Sequence, residues 1–246
     1  MKKDFIIIPT YNERKNMERL IPAIFNLYPD INVLVADDNS PDGTLEEIKI
    51  LTEIYQNLSY YSRPRKLGLA GAYLDSFRKL LKENNKLGNI ITMDADFSHA
   101  PEVIKEMLAQ ISGYDLILGS RYIKGGGVKN WSLARRMLSR TGNMYARAIT
   151  GMPIYDLTTG FQCFKAELLK KYDFSKIQST GYAFLIEMKV AAYKLGGKIK
   201  EIPITFNDRT EGKSKLSNRI IYEGLIAPWK IRFSEYSGAE QHGKLV

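Results

Sequence analysis

A chain of 246 residues, 44% hydrophobic and 26% charged, can bury one substantial core, and without low-complexity tracts or fixed-period repeats it excludes disordered and solenoid architectures. The formal net charge of +9 points to an anionic partner: nucleotide, phosphorylated substrate, acidic membrane or nucleic acid. A single cysteine, Cys163, leaves no intrachain disulfide and favours a reducing compartment, and no run of about eighteen apolar residues offers a membrane span.

Met1-Lys2-Lys3-Asp4 followed by Phe5–Ile8 mimics a leader, but the apolar run stops at Pro9 and suits a buried strand. Short apolar runs then alternate with amphipathic stretches, the pattern of a parallel sheet with crossover helices. Strands are expected at Phe5–Pro9, Asn32–Ala36, Leu58–Ser62, Asn89–Met93 and Asp115–Gly119, with helices beginning near Glu13, Thr44, Gly68 and Pro101. Thr44 and Glu47 have the spacing of a capping box, and Pro101 suits a first helical turn.

Beyond Arg121 the rhythm changes. Gly125-Gly126-Gly127 leads into a basic amphipathic stretch from Trp131 to Thr150. A turn is expected around Asp156–Gly160, a helix over Phe184–Leu195, a strand over Lys198–Phe206 and a basic loop over Arg209–Lys215. A helix over 216–233 completes one catalytic domain spanning 1–235, and 236–246 reads as a polar tail. Cys163, inside the run Phe161-Gln162-Cys163-Phe164, reads as a small buried residue rather than a nucleophile.

In open parallel sheets, ligands bind beyond the carboxyl ends of the strands. There this chain places Pro9–Glu13, Asp37–Thr44, Asp94-Ala95-Asp96 and Ser120-Arg121-Tyr122. Carboxylates gathered on one rim repel one another unless a cation sits among them. Asp94 and Asp96, one residue apart at a strand end, offer hard oxygen ligands suited to magnesium or manganese bridging a diphosphate. Asn39-Ser40-Pro41-Asp42-Gly43 is a good turn, so Asp38, next to the strand, is the better functional candidate. Arg121 and Arg209 are placed for bidentate phosphate binding, whereas Arg136 and Arg140 read as solvated surface charge. His99 reads as a helix-entry residue.

Pro9-Thr10-Tyr11-Asn12-Glu13, Asp37–Thr44, Met93–Asp96, Gly119–Tyr122, Trp131-Ser132-Leu133, Thr159-Gly160-Phe161, Gly181–Phe184 and Gly212–Leu216 follow one another in an order that resembles glycosyltransferase family 2. Within it the dolichol-phosphate mannosyltransferase, or polyprenyl-phosphate sugar synthase, group is the nearest in pattern. The resemblance implies a nucleotide-sugar-binding α/β fold of the GT-A type, with a mostly parallel central sheet flanked by helices. It implies that Pro9, Tyr11, Glu13, Ala36 and Asp38 hold the nucleoside. Asp94, Ala95 and Asp96 match the diphosphate and metal site, with Asp96 the principal ligand and magnesium or manganese the cofactor. Arg121, Arg209 and Lys215 match phosphate-binding positions, with Asp96, Arg121 and Arg209 as the catalytic set; Arg135 and Ser139 match the acceptor-phosphate site. Ser98 stands where some relatives carry a metal-supporting glutamine, and Leu185 where glutamine is frequent.

The implied reaction is an inverting transfer of mannose from GDP-mannose to dolichyl or another polyprenyl phosphate, with UDP-glucose as the alternative donor. A phosphate monoester is already anionic near neutral pH, so no strong general base is needed, which suits a chain with two histidines. Basic amphipathic stretches at Trp131–Thr150 and Leu216–Phe233 point to peripheral attachment on the cytoplasmic face of a membrane, alone or through an anchoring subunit. A nucleic-acid-binding module, the remoter alternative, leaves the acidic rim unexplained. A nucleotidyltransferase would be expected to carry a glycine-rich loop after the first strand, and Pro9–Glu13 has no glycine.

Overall fold

The computed structural model describes residues 2–208 and 218–236. In the first half, β1 (Lys3–Thr10), β2 (Asn32–Asp37), β3 (Leu58–Ser62) and β4 (Leu87–Thr92) alternate with α1 (Arg14–Leu27), α2 (Thr44–Ile54) and α3 (Gly68–Glu83). Then follow α4 (Val103–Gln110), β5 (Leu116–Ser120), β6 (Gly127–Val128), α5 (Leu133–Thr150), β7 (Gln162–Lys165) and α6 (Ala166–Leu169). The last described elements are α7 (Gly181–Lys194), β8 (Ile199–Pro203), β9 (Thr205–Phe206) and α8 (Asn218–Phe233).

Among the described residues the main sheet runs β3-β2-β1-β4-β7-β5-β8, and β6 pairs with β9 in a separate two-stranded sheet. All pairings in the main sheet are parallel except those of β7, which runs antiparallel to β4 and β5. This is the expected α/β architecture, with a mostly parallel sheet between helices.

Side-chain alternation along β1 divides the core. Ile6 and Ile8 face a cluster with Met17, Ile21, Ile48 and Ile104, so α1, α2 and α4 cover that side. Phe5 and Ile7 face Tyr73, Phe77, Phe164, Phe184 and Ile231, from α3, β7, α7 and α8. Each fully buried isoleucine or leucine contributes about 1.5–3 kcal/mol relative to exposure, and both faces are covered, so β1 reads as a continuous apolar run.

One strand was not expected, and two local expectations are corrected. β7 lies where the sequence offers only the run around Cys163; four residues inserted antiparallel carry no crossover signal. The strand expected over Lys198–Phe206 breaks at Ile204, whose N–H donates to Ser120 and whose carbonyl accepts Gly127, sending β9 to pair with β6. Thr44 is the first helical residue of α2 rather than its cap. Gly43, at φ 87°, takes the cap position, and the Thr44 hydroxyl bonds Asp42 and accepts the Glu13 N–H.

Candidate active site

The carboxyl ends of β1, β2, β4 and β5 open on one rim. Pro9 and Ala36 are register partners there, as are Thr10 and Asp37. Asp37 is fully buried and accepts hydroxyl bonds from Thr10 and Ser40, tying the two loops together. Asn12 and Asn39 take left-handed backbone, at φ 61° and 58°, which turns each loop sharply off its strand. Glu13 accepts from the Asn16 amide at 2.6 Å, and the Lys66 ammonium stands 3.5 Å from the centre of the Tyr11 ring. Asp38 is buried, pairs with the buried Arg63 and accepts the Gly68 N–H at 2.8 Å. It therefore fixes the basic segment 63–68 against the rim. Arg63 was missed, because an arginine in the basic loop Arg63-Pro64-Arg65-Lys66 reads as solvated charge.

Asp94, Ala95 and Asp96 follow β4. Asp96 is 5% exposed and accepts the Ser98 N–H at 3.1 Å, while the Asp94 side chain remains 30% exposed. Phe97, at φ 59°, holds a conformation bulky residues rarely adopt, at a cost of order 1 kcal/mol, and this strain tightens the loop. His99 is not a helix-entry residue. Its Nδ1 accepts the Asp94 N–H at 3.1 Å, so the proton sits on Nε2, 3.9 Å from an Asp94 carboxylate oxygen. Burial lowers its pKa against the opposing pull of Asp94 and Asp96, and the neutral ring stacks on Phe161 at 4.8 Å.

Among the described residues no group of three His, Cys, Asp or Glu side chains could enclose a metal. A magnesium-like ion needs no such cage, since one or two carboxylates plus substrate phosphates and water complete its shell. Ser98 Oγ is buried without a hydrogen-bond partner among the described residues, leaving an oxygen available beside Asp96. The donor set therefore fits a hard divalent cation.

Arg121, expected at a phosphate, is engaged within the protein and also lines the cleft described below. Its Nε and Nη2 donate to the two carboxylate oxygens of Asp156, each at 2.7 Å, and Nη2 also reaches Thr158 at 2.8 Å. The fork expected to grip a phosphate is closed on Asp156. Burial would lower the Arg121 pKa and raise that of Asp156, but their mutual attraction outweighs it, so Arg121 is raised and Asp156 lowered. The Arg121 guanidinium lies within 6 Å of the Tyr122, Trp131 and Phe206 rings.

The acceptor-side candidates lie on α5, capped by the Ser132 hydroxyl accepting the Arg135 N–H and ended by Gly151 in left-handed backbone. Arg135 stacks on Trp131 at 4.1 Å and pairs with Asp208 at 2.8 Å. Ser139 accepts from the Tyr122 hydroxyl at 2.6 Å. The Asn207 N–H donates to Ser98, so the Asp96 loop and the Arg135 end of α5 are joined through consecutive residues, 207 and 208. Arg136 and Arg140, taken from sequence as surface charge, line a cleft of about 260 Å³ with Arg121, Tyr122, Gly127 and Val128. Buried Asn143 was also missed: it bonds Thr158 and the Leu157 N–H, locking α5 to the Asp156–Gly160 turn. Arg209 and Lys215 lie outside the described residues. Cys163 is buried, and its thiol is pushed far up by burial, so it is no nucleophile.

The mostly parallel sheet, with paired aspartates after β4, is the GT-A-like α/β arrangement of a glycosyltransferase. The Glycosyl transferase family 2 profile matches residues 5–173, and the chain belongs to that family. It is 38% identical to polyprenol monophosphomannose synthase of Mycolicibacterium smegmatis, over 94% of this chain and 88% of that one. It is 36% identical to undecaprenyl-phosphate mannosyltransferase of Micrococcus luteus, over 89% of this chain and 90% of that one. Among solved structures, glucosyl-3-phosphoglycerate synthase of Mycobacterium tuberculosis, bound to Mn²⁺, UDP and glucosyl-3-phosphoglycerate, shares the fold. Its TM-score is 0.65 at 16% identity, covering 93% of this chain and 80% of that one.

Proposed function

We propose that this glycosyltransferase moves mannose from GDP-mannose to a polyprenyl phosphate with inversion, releasing GDP. The observation that carries the reading is the identity of 36–38% over about nine-tenths of the chain to two enzymes named for mannosyl transfer on polyprenyl carriers. UDP-glucose is less favoured, because both of those names specify mannose. Loops after β1 and β2, with Pro9, Tyr11, Glu13, Ala36 and Asp38, receive the nucleoside. Asp94 and Asp96 would hold magnesium or manganese, which when bound offsets the charge that develops on the leaving diphosphate.

The transfer breaks the bond between the anomeric carbon and the diphosphate oxygen and forms one to an acceptor phosphate oxygen. That oxygen is already anionic, so the chain's task is to orient it and exclude water. Arg135 and Ser139 supply the orientation. Arg136 and Arg140, beside them on the cleft, add positive potential along the approach. The excess basic charge thereby finds its use in phosphate and membrane contact, with no need of nucleic acid.

Membrane attachment is peripheral in this reading. Among the described residues no helix is long and apolar enough to cross a bilayer. α5 and α8 lie side by side, joined by bonds from the Tyr145 hydroxyl to the Leu225 carbonyl and from the Trp229 indole to Tyr145. Leu133, Met137, Leu138 and Met144 of α5 and Leu225, Trp229 and Phe233 of α8 are exposed, flanked by Arg136, Arg140, Lys230 and Arg232. Ile231 is buried in the core, leaving Trp229 and Phe233 as the inserting pair on α8.

Purified protein incubated with magnesium, a polyprenyl phosphate and a panel of nucleotide sugars tests the donor. GDP-mannose should be used at least about tenfold more efficiently than any other donor. Preference for UDP-glucose would replace the mannose reading while leaving the acceptor reading in place.

A further inference from the structure

Lys189, in the middle of α7, has no exposed surface. Its ammonium group donates to the Thr159 carbonyl at 2.8 Å and to the Leu185 carbonyl, one turn back, at 3.1 Å. Among the described residues it forms no ion pair within 4 Å. The charged groups facing it are Asp156 on the turn, Arg121 at the end of β5 and Glu201 on β8. Asp156 is already engaged by Arg121, and Glu201 by the Tyr155 and Asp156 N–H groups.

A buried amine without an ion pair is costly, and a leucine or methionine would fill the same volume without that cost. What the amine holds is the segment that supports the rim from below. The Thr92 hydroxyl, two residues before Asp94, donates to the Gly160 carbonyl at 2.6 Å. Gly160 faces the metal loop: a β-carbon there would stand 3.6 Å from an Asp94 carboxylate oxygen and from His99. Asp156 and Thr158, earlier in the same turn, hold Arg121. The Thr159 carbonyl lies between these two anchors.

Resting on the transfer reading above, we propose that Lys189 is a positioning residue: by holding the Thr159 carbonyl it sets the Asp156–Gly160 turn against Asp94 and Arg121. Neither protonation state removes this function, since a neutral amine still has two N–H donors for its two carbonyls.

The test compares full-length wild type, Lys189→Met and Lys189→Gln. Met matches the volume without a donor; Gln keeps an N–H donor without the charge. Manganese affinity in the presence of GDP or UDP is read alongside kcat and acceptor KM. The expected result for Lys189→Met is manganese affinity and kcat each lower by about tenfold, with acceptor KM within about twofold and the melting temperature not reduced. Lys189→Gln should recover most of both losses. Wild-type values in Lys189→Met, or equal losses in both variants that follow their melting temperatures, would overturn the assignment. Should Lys189→Met not fold, Lys189→Gln decides: near-wild-type manganese affinity upholds it, and a tenfold loss in the folded variant overturns it. Manganese affinity does not depend on the acceptor, so a wild type that binds metal yet ignores polyprenyl phosphate would count against the transfer reading alone.

Discussion

Arg121 and Asp156 neutralise each other at the edge of the site, with side chains 7% and 0% exposed and a two-pronged contact that the Arg121 N–H completes at 3.0 Å. Removing one partner strands the other charge in a low-dielectric interior. Asp156→Ala should therefore cost about 3–5 kcal/mol of unfolding free energy, measured by denaturant titration. Arg121→Lys, which keeps the charge but loses the fork, should cost less and still reduce turnover. The folded pKa of Asp156 is depressed, so the pair's stability is present above the ordinary carboxylate range and is lost as pH falls through the lower folded value. Wild type should lose stability on acidification more steeply than Asp156→Ala.

Lys189 gives a pH signature of the opposite kind. Burial lowers its folded pKa to about 7, against an ordinary value of 10.5, with Asp156 and Glu201 opposing the shift and Arg121 adding to it. Between those values the unfolded chain binds the extra proton, so this group makes stability rise with pH from about 7 towards 10.5. The slope is at most about 1.4 kcal/mol per pH unit. The melting-temperature difference between wild type and Lys189→Met should move in favour of wild type across that window and stay flat below it.

Asp96→Ala should abolish transfer, by on the order of 10²-fold or more, while circular dichroism and melting change little. Chelator added to wild type should have the same effect and be reversed by excess magnesium or manganese. Near-normal turnover in either case would remove the metal from the account.

Replacing Arg135 with Ala should raise acceptor KM by about tenfold while GDP binding, followed by calorimetry, changes by less than about twofold. The Asp208 pairing adds a control: Asp208→Asn should leave Arg135 in place with a milder effect. Equal loss of donor and acceptor binding on Arg135→Ala would place this arginine with the nucleotide instead.

On liposomes, the α5–α8 face should sediment the protein with anionic vesicles, each Lys or Arg near the surface adding about 1 kcal/mol at low salt. Trp229→Ala with Phe233→Ala should remove the salt-resistant part of that binding, whereas Ile231→Ala should lower stability, because Ile231 packs in the core. A protein that stays in the supernatant with every vesicle would require an anchoring partner.

The first half of the fold was legible because its signals are local. Phe5–Ile8 and Val33–Ala36 are uninterrupted apolar runs, and each leads into polar residues that lie on the rim. Asp94 and Asp96 stood out for the same reason, as a charged pair directly after a buried strand. What escaped depends on contacts between distant segments. The ion pair of Arg121 was hidden because its partner Asp156 is 35 residues away in a different turn. Arg63, Asn143 and Lys189 are polar residues made buriable by partners the sequence does not place beside them. His99 was misread because its function lies in a bond back to the Asp94 backbone, five residues earlier, which a helix-entry pattern hides.

The most direct test of the central claim uses purified protein, magnesium and radiolabelled GDP-mannose with a polyprenyl phosphate or with the same polyprenol lacking phosphate, followed by organic extraction. Label should enter the organic phase only with the phosphorylated lipid. Equal labelling of both lipids, or of neither, would contradict the account.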